Sequence, residues 1–172
     1  MSDKSNAMTF AHDLWQRVFK EVRKEYPEID SRHLYIDTLA MEVVRDPSQF
    51  DVIVTCNLFG DIISDLSAQL IGGLGLAPSG NIHPGQTSLF EPVHGSAPNI
   101  AGKGIANPLG SVLASAMMLE FLGWNREASI LRKAVKAALL KNHLTSDLGG
   151  GKGTTDVGSW LAEFVSANIE QC

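Results

Sequence analysis

The stretch Asp51-Val52-Ile53-Val54-Thr55-Cys56-Asn57-Leu58-Phe59-Gly60-Asp61-Ile62-Ile63-Ser64-Asp65 decides how this chain folds. Val52 to Thr55 reads as a strand, apolar enough to be buried on both faces. From Gly60 to Leu70 the chain reads as a helix. Residues four apart share a helix face, so Asp61 and Asp65 present two carboxylates side by side at the helix start. Like charges that close repel unless a cation lies between them. Hard oxygen ligands on one face suit Mg²⁺ or Mn²⁺. The same residues also read more plainly, as a helix cap at Asp61 and a solvated carboxylate at Asp65.

Outward from this stretch, helices alternate with short apolar strands. About Ala7 to Lys24 is an amphipathic helix, with Phe10, Leu14, Val18 and Val22 on one stripe and Pro27 ending it. Leu34-Tyr35-Ile36 is a strand, and Leu39 to Arg45 a helix that stops at Asp46-Pro47. The pattern is that of an α/β layered protein. Its character changes at Gly72-Gly73-Leu74-Gly75, after which the chain to Pro108 is rich in Gly, Pro, Asn and Ser. A loop stretch of that length inside a compact domain is usually functional. Leu109 to Leu122 follows as a helix buried nearly all round, then Glu127 to Lys141 and Val157 to Ile169 as further helices.

Composition narrows the function. The chain has 172 residues, 44% hydrophobic and 19% charged, with a formal net charge of -5. Its basic residues are scattered, and Arg132, Lys133, Lys136 and Lys141 form a solvated helix face, so nothing points to nucleic acid. No apolar run reaches the roughly 18 residues of a membrane span. Two cysteines, Cys56 and Cys172, make no disulfide framework, which favours a reducing, cytoplasmic setting.

The segment from Phe90 to Pro108 concentrates His94, Ser96, Asn99, Lys103 and Asn107 among glycines, with little apolar periodicity. Glycines let backbone N–H groups approach a ligand closely, so such a loop can wrap phosphates and ribose. It reads equally as a long ordered surface loop. Two nucleotide patterns fail. Gly73-Leu74-Gly75-Leu76-Ala77-Pro78 has Pro where a dinucleotide fingerprint needs its last small residue. Gly149-Gly150-Gly151-Lys152-Gly153-Thr154 has Gly after the Lys, where a P-loop needs Ser or Thr.

Taken in order, Asp3-Lys4-Ser5-Asn6, Tyr35-Ile36-Asp37-Thr38-Leu39-Ala40-Met41, Asn57 to Asp65 and His94 to Pro108 closely resemble the β-decarboxylating dehydrogenases. That family acts on 3-isopropylmalate, isocitrate, homoisocitrate and tartrate. The resemblance covers essentially the whole chain. It also favours a native origin for Ser5-Asn6-Ala7-Met8, which otherwise matches the scar of a cleaved vector tag.

The resemblance implies a metal- and NAD-dependent oxidation of a 2-hydroxy dicarboxylate with loss of the β-carboxylate. Lys4 would handle the proton of the substrate hydroxyl, and Asp37 would support it and help hold Mg²⁺ or Mn²⁺. Both would reach into the site of a partner subunit, with Asp61 and Asp65 serving the metal from the other side, which implies a homodimer. Glu91, His94, Gly95, Ser96 and Ala97 would line the cofactor path, Asn99 would meet the ribose and Asn107 the adenine end. Asp147, in the later glycine-rich loop, is a weaker cofactor-side candidate. NAD-using members usually carry Asp at the position of Asn99, and NADP-using members Lys and Tyr at Asn99 and Ile100, so NAD is expected with weakened discrimination.

The resemblance further implies a C-terminal portion of the isopropylmalate dehydrogenase-like fold, a parallel or mixed sheet flanked by helices. Residues 1–70 would belong to the second, dimerising domain and 71–172 to the first, cofactor-binding domain. The N-terminal half, with the arginines that clamp substrate carboxylates, is missing, and the fragment would expose strand edges and apolar faces. The isolated chain is therefore expected to be inactive. 3-Isopropylmalate is the favoured substrate. A catalytically inactive binding or assembly piece is the competing reading.

Overall fold

The computed structural model describes residues 1–169, so Cys172 lies outside the described residues. The chain divides into two compact units, Met1–Leu70 and Ile71–Cys172.

In the first unit, strand β1 (Ser2–Asp3) pairs in parallel with β2 (Leu34–Tyr35), Ser2 opposite Leu34 and Asp3 opposite Tyr35. Helix α1 (Ala11–Arg23) connects them, with Asp13 in its first turn and Lys20 and Arg23 in its last, as the helix dipole favours. It is shorter than its apolar periodicity predicts. That stripe is also not buried. Phe10 is 94% exposed, and Leu14, Val18 and Val22 face solvent with it. The residue α1 does bury is His12.

Helix α2 (Ile36–Arg45) starts directly after β2, earlier than Leu39, and sets Asp37 in its first turn. Asp46 ends it by accepting from the Ser48 N–H, which caps the short turn Pro47–Gln49. Leu39 and Val43 of α2 bury against Ile63 of α3 (Asn57–Leu70), with Leu34, Phe50 and Ile53 packed around them. Full burial of each such aliphatic side chain contributes about 1.5–3 kcal/mol, so this small core fixes α2 on α3.

Two expectations fail here. Val52 to Thr55 forms no strand, and Val52 is 86% exposed. Among the described residues one backbone bond reaches it, from the Ser2 N–H to the Val54 carbonyl at 2.9 Å, joined by a side-chain bond from Thr55 Oγ1 to the Ser2 carbonyl at 2.9 Å, and a single backbone bond makes no ladder. Helix α3 begins at Asn57 rather than Gly60, which moves Asp61 from the helix start into the second turn.

The second unit begins with a tight turn, Leu74–Leu76, and the antiparallel pair β3 (Pro78–Asn81) and β4 (Leu89–Pro92). The stretch expected to be continuous loop therefore contains a hairpin. Helices α4 (Leu109–Phe121), α5 (Asn125–Leu140) and α6 (Thr154–Ile169) complete the unit. Gly123, at φ +85°, ends α4, and the Trp124 N–H reaches back to the Leu119 carbonyl at 2.8 Å. Ala114, Ala116, Ala128, Ala134 and Ala138 are all buried, and their small side chains let α4 and α5 approach closely. Arg132 of α5 clasps Glu120 of α4 through two bonds, 2.8 and 2.7 Å. Leu76, Leu109, Val135, Leu144, Val157 and Leu161 form the main core. Helix α4 is buried on that side and against β3 and β4 but not all round, because Ser111, Ser115, Met118 and Glu120 remain exposed. Among the described residues, the sheets are one parallel and one antiparallel pair, a mixed α/β architecture. Among the described residues, no helix is long and apolar enough to cross a membrane.

Candidate functional site

Each unit carries one constellation of the expected residues. In the first, Lys4 Nζ donates to Asp37 Oδ1 at 2.7 Å. The two residues lie 33 positions apart, and the parallel pairing of β1 with β2 brings their backbones together. Lys4 follows β1 and Asp37 follows β2, so each side chain leaves the same end of the sheet. That is where ligands meet open parallel sheets. The Lys4 side chain is 26% exposed and that of Asp37 62%. The bond from Lys4 holds the Asp37 carboxyl below the usual carboxylate range. Lys4 Nζ also lies 6.0 Å from the centre of the Tyr35 ring.

Asp61 and Asp65 stand on the exposed face of α3, one turn apart. Asn57 Nδ2 approaches Asp61 Oδ2 at 3.4 Å. Neither carboxylate takes part in an ion pair among the described residues, which leaves their oxygens available to a hard cation. The donor chemistry of Asp37, Asp61 and Asp65 fits Mg²⁺ or Mn²⁺. Within one chain, however, no group of three acidic, histidine or cysteine residues comes together closely enough to hold a metal, among the described residues. A cleft of about 300 Å³ in the same unit, lined by Phe19, Leu34, Leu39 and Phe50, includes neither Lys4 nor Asp37.

Sequence reasoning missed the residues that hold Lys4. Asp3, fully buried, accepts from the Ser5 N–H at 3.0 Å and from His33 Nε2 at 2.9 Å. Burial pushes the Asp3 carboxyl up, but the Ser5 N–H and His33 outweigh it and hold the group below its ordinary range. The Lys4 N–H donates to His12 Nδ1 at 2.9 Å. His12 stands among the polar residues of the α1 pattern, so the sequence gives no sign of its burial.

The second constellation is the loop from Val93 to Pro108. Val93 N–H bonds the Ala77 carbonyl at 3.0 Å and starts the loop from the hairpin. Glu91, Gly95, Ser96, Ala97 and Asn99 are exposed and His94 is half-buried, its Nδ1 3.1 Å from the Gly95 carbonyl. Ala97 sits at φ +43°, a conformation a non-glycine residue adopts only under constraint. A side chain at Gly95 would meet nothing within 4 Å, and its φ is ordinary. Neither backbone strain nor crowding explains glycine there.

Asn107 behaves differently. It is 8% exposed, and both ends of its amide are engaged. Oδ1 accepts from the Leu109 N–H at 2.9 Å at the start of α4, and Nδ2 donates to Asp147 Oδ2 at 2.9 Å. Thr145 Oγ1 donates to the other oxygen of Asp147. Thr154 fastens the same two loops together, its N–H to the Gly104 carbonyl at 2.8 Å and its hydroxyl to the Ala106 carbonyl at 2.6 Å. The Asn107 and Asp147 side chains thus brace the loop, and Gly75 leaves room for them: a Cβ there would lie 2.7 Å from Asp147 Oδ2.

The chain as a whole is similar to known proteins. A model of the family described as isocitrate/isopropylmalate dehydrogenase matches residues 1–161. The chain belongs to that family. It is 46% identical to a homoisocitrate dehydrogenase of Methanocaldococcus jannaschii, over 97% of this chain and 48% of the relative. It is 48% identical to a 3-isopropylmalate dehydrogenase of Zymomonas mobilis, over 91% of this chain and 45% of the relative. The crystal structure of an isocitrate dehydrogenase from Methylococcus capsulatus superposes with a TM-score of 0.86 at 42% identity, covering 95% of this chain and 50% of that one. The chain thus spans about half the length of these members of the isocitrate/isopropylmalate dehydrogenase family.

Proposed function

We propose that the chain is the C-terminal portion of a NAD-dependent β-decarboxylating dehydrogenase. Its substrate would be a 2-hydroxy dicarboxylate, with 3-isopropylmalate first and homoisocitrate, isocitrate or tartrate as alternatives. The observation that carries this reading is the 2.7 Å bond between Lys4 Nζ and Asp37 Oδ1, a base and a carboxylate set at one end of a parallel strand pair.

Lys4 Nζ, as the neutral amine, would accept the proton of the substrate hydroxyl, and a bound nicotinamide would supply the hydride acceptor. The Asp37 carboxylate holds the ammonium that results. Asp37, with Asp61 and Asp65 of a second copy, would hold Mg²⁺ or Mn²⁺; such a cation supplies Lewis-acid stabilisation of negative charge on the substrate oxygens. The family resemblance implies a site of this kind shared between two copies in a homodimer. The bare backbone at Gly95, with Glu91, His94, Ser96, Ala97 and Asn99 beside it, would take the cofactor, and the Asn107–Asp147 brace would hold that loop in shape. Carboxylate-clamping arginines would come from an N-terminal half, and the assembly would work in the cytoplasm.

The test joins the chain to an N-terminal half of the family and assays 3-isopropylmalate, homoisocitrate, isocitrate and tartrate with Mn²⁺ and NAD. NADH production that is lost in Lys4→Met is expected, with 3-isopropylmalate turned over fastest and the chain alone inactive. Full activity of Lys4→Met would overturn the reading.

A further inference from the structure

Lys4 is held more tightly than its place in a surface segment requires. Its N–H donates to His12 Nδ1 at 2.9 Å, and its carbonyl accepts from the N–H groups of Ala7 and Met8 at 2.9 and 2.8 Å. Both backbone polar groups of the residue are therefore committed, and only its side-chain torsions remain free. The flanking residues are also fixed. Asp3 Oδ1 takes the Ser5 N–H and His33 Nε2, and Gln16 Nε2 donates to Ser5 Oγ at 2.6 Å.

The two imidazoles that carry this arrangement are each packed against an aromatic ring. His12 is 4% exposed and tilts against the Phe59 ring of α3, centroids 5.4 Å apart. His33 meets the Tyr35 ring edge-on at 4.9 Å, and Tyr35 is the ring nearest Lys4 Nζ. Helix α1 leaves its apolar stripe in solvent and buries a histidine instead. If packing alone were served, an apolar residue of that shape would do as well without desolvating a polar ring. Asp3 carries the same cost, since its Oδ2 is buried without a partner.

The chemistry of the partners fixes which nitrogen does what. A backbone N–H can only donate, so His12 Nδ1 carries no proton. An ionised carboxylate can only accept, so His33 Nε2, 2.9 Å from Asp3 Oδ1, carries one; the Gln16 amide nitrogen, itself a donor, stands farther off at 3.4 Å. We propose that Asp3, His12 and His33 are positioning residues for Lys4, acting through one defined nitrogen of each ring to aim the lysine at Asp37. The part this plays in proton transfer rests on the function proposed above, but the clamp itself does not.

Histidine-selective ¹⁵N NMR of the 172-residue chain at neutral pH tests it. An Nε2–H tautomer at His12 and a protonated Nε2 at His33 are expected; a proton on His12 Nδ1 or a bare His33 Nε2 overturns the proposal. Isosteric substitutions sharpen the test, because Asn places an amide group near the Nδ1 position and Gln near Nε2. The readout is the Lys4 ¹⁵Nζ chemical shift, which reports its bond to Asp37. His12→Asn should keep it and His12→Gln lose it, whereas His33→Gln should keep it and His33→Asn lose it. Filling of space alone would not reverse the order between the two sites, so equal behaviour of Asn and Gln at both refutes the clamp. If a variant fails to fold, the tautomers of the unsubstituted chain decide. No metal, cofactor or substrate enters these measurements, so failure of the clamp is distinct from failure of the dehydrogenase reading.

Discussion

The Asn107 amide nitrogen donates to Asp147 Oδ2 at 2.9 Å, across 40 residues of chain, and joins the two glycine-rich loops of the C-terminal unit. The other end of the same amide caps α4. Replacing Asn107 by Ala removes the cap and leaves an Asp147 oxygen without its partner. A loss of about 1–3 kcal/mol is expected by urea unfolding. Asn99→Ala, at an exposed position, should stay within about 0.5 kcal/mol of the parent. Equal effects of the two substitutions would show that the brace does not matter to folding.

Acid stability should follow Asp3. Its folded pKa lies below the ordinary carboxyl value of 3.8, so the native state favours the ionised form. The resulting stabilisation is fully present above that ordinary value and is lost as pH falls through the lower, folded one. Asp37 shifts the same way but is well exposed, and its pair with Lys4 is solvent-screened. Thermal midpoints between pH 7 and pH 2 should therefore drop more steeply below about pH 4 in the parent than in Asp3→Asn. Parallel curves would remove Asp3 from the account.

Much of this was legible from local pattern. The α2 and α3 helices follow from their apolar spacing, whereas Lys4 and Asp37 are named only through the family resemblance of their motifs, and the strand before Lys4 is not foreseen. What escaped depended on distant partners. Val52 to Thr55 has strand composition, yet only one backbone bond reaches it, so no ladder forms. The stripe of α1 predicts burial, but no element of the described chain covers it. Asn107 and Asp147 were read as cofactor-side residues one at a time, because nothing in sequence announces that they bond to each other. His12 gave no chemical signal at all, since its role appears only once β1 delivers the Lys4 N–H to it.

Cofactor choice should respond to Asn99. A neutral amide can bond a ribose hydroxyl but does not repel a 2′-phosphate. In the chain joined to an N-terminal half, Asn99→Asp should raise the ratio of kcat/KM for NAD over NADP by about tenfold, near 1.4 kcal/mol of discrimination. An unchanged ratio, or a parent that prefers NADP, would contradict the placement of Asn99 at the ribose.

The uncovered face of the N-terminal unit should govern behaviour in solution. Phe10, Leu14, Val18 and Val22 are all exposed along α1. Contiguous apolar surface of this kind associates with other apolar surface. The 172-residue chain should run larger than a monomer at high concentration in light-scattering chromatography. Leu14→Lys with Val18→Glu should reduce that association while leaving helical circular dichroism intact. A strictly monomeric parent would oppose the prediction.

The central claim is that Asp37, Asp61 and Asp65 hold a divalent cation beside Lys4. Calorimetric titration of Mn²⁺ into the chain joined to an N-terminal half tests it most directly, with Asp61→Ala and Asp65→Ala alongside. Saturable uptake by the parent and its loss in both variants is the expected result. No uptake by the parent, or undiminished uptake by Asp61→Ala, would contradict the account.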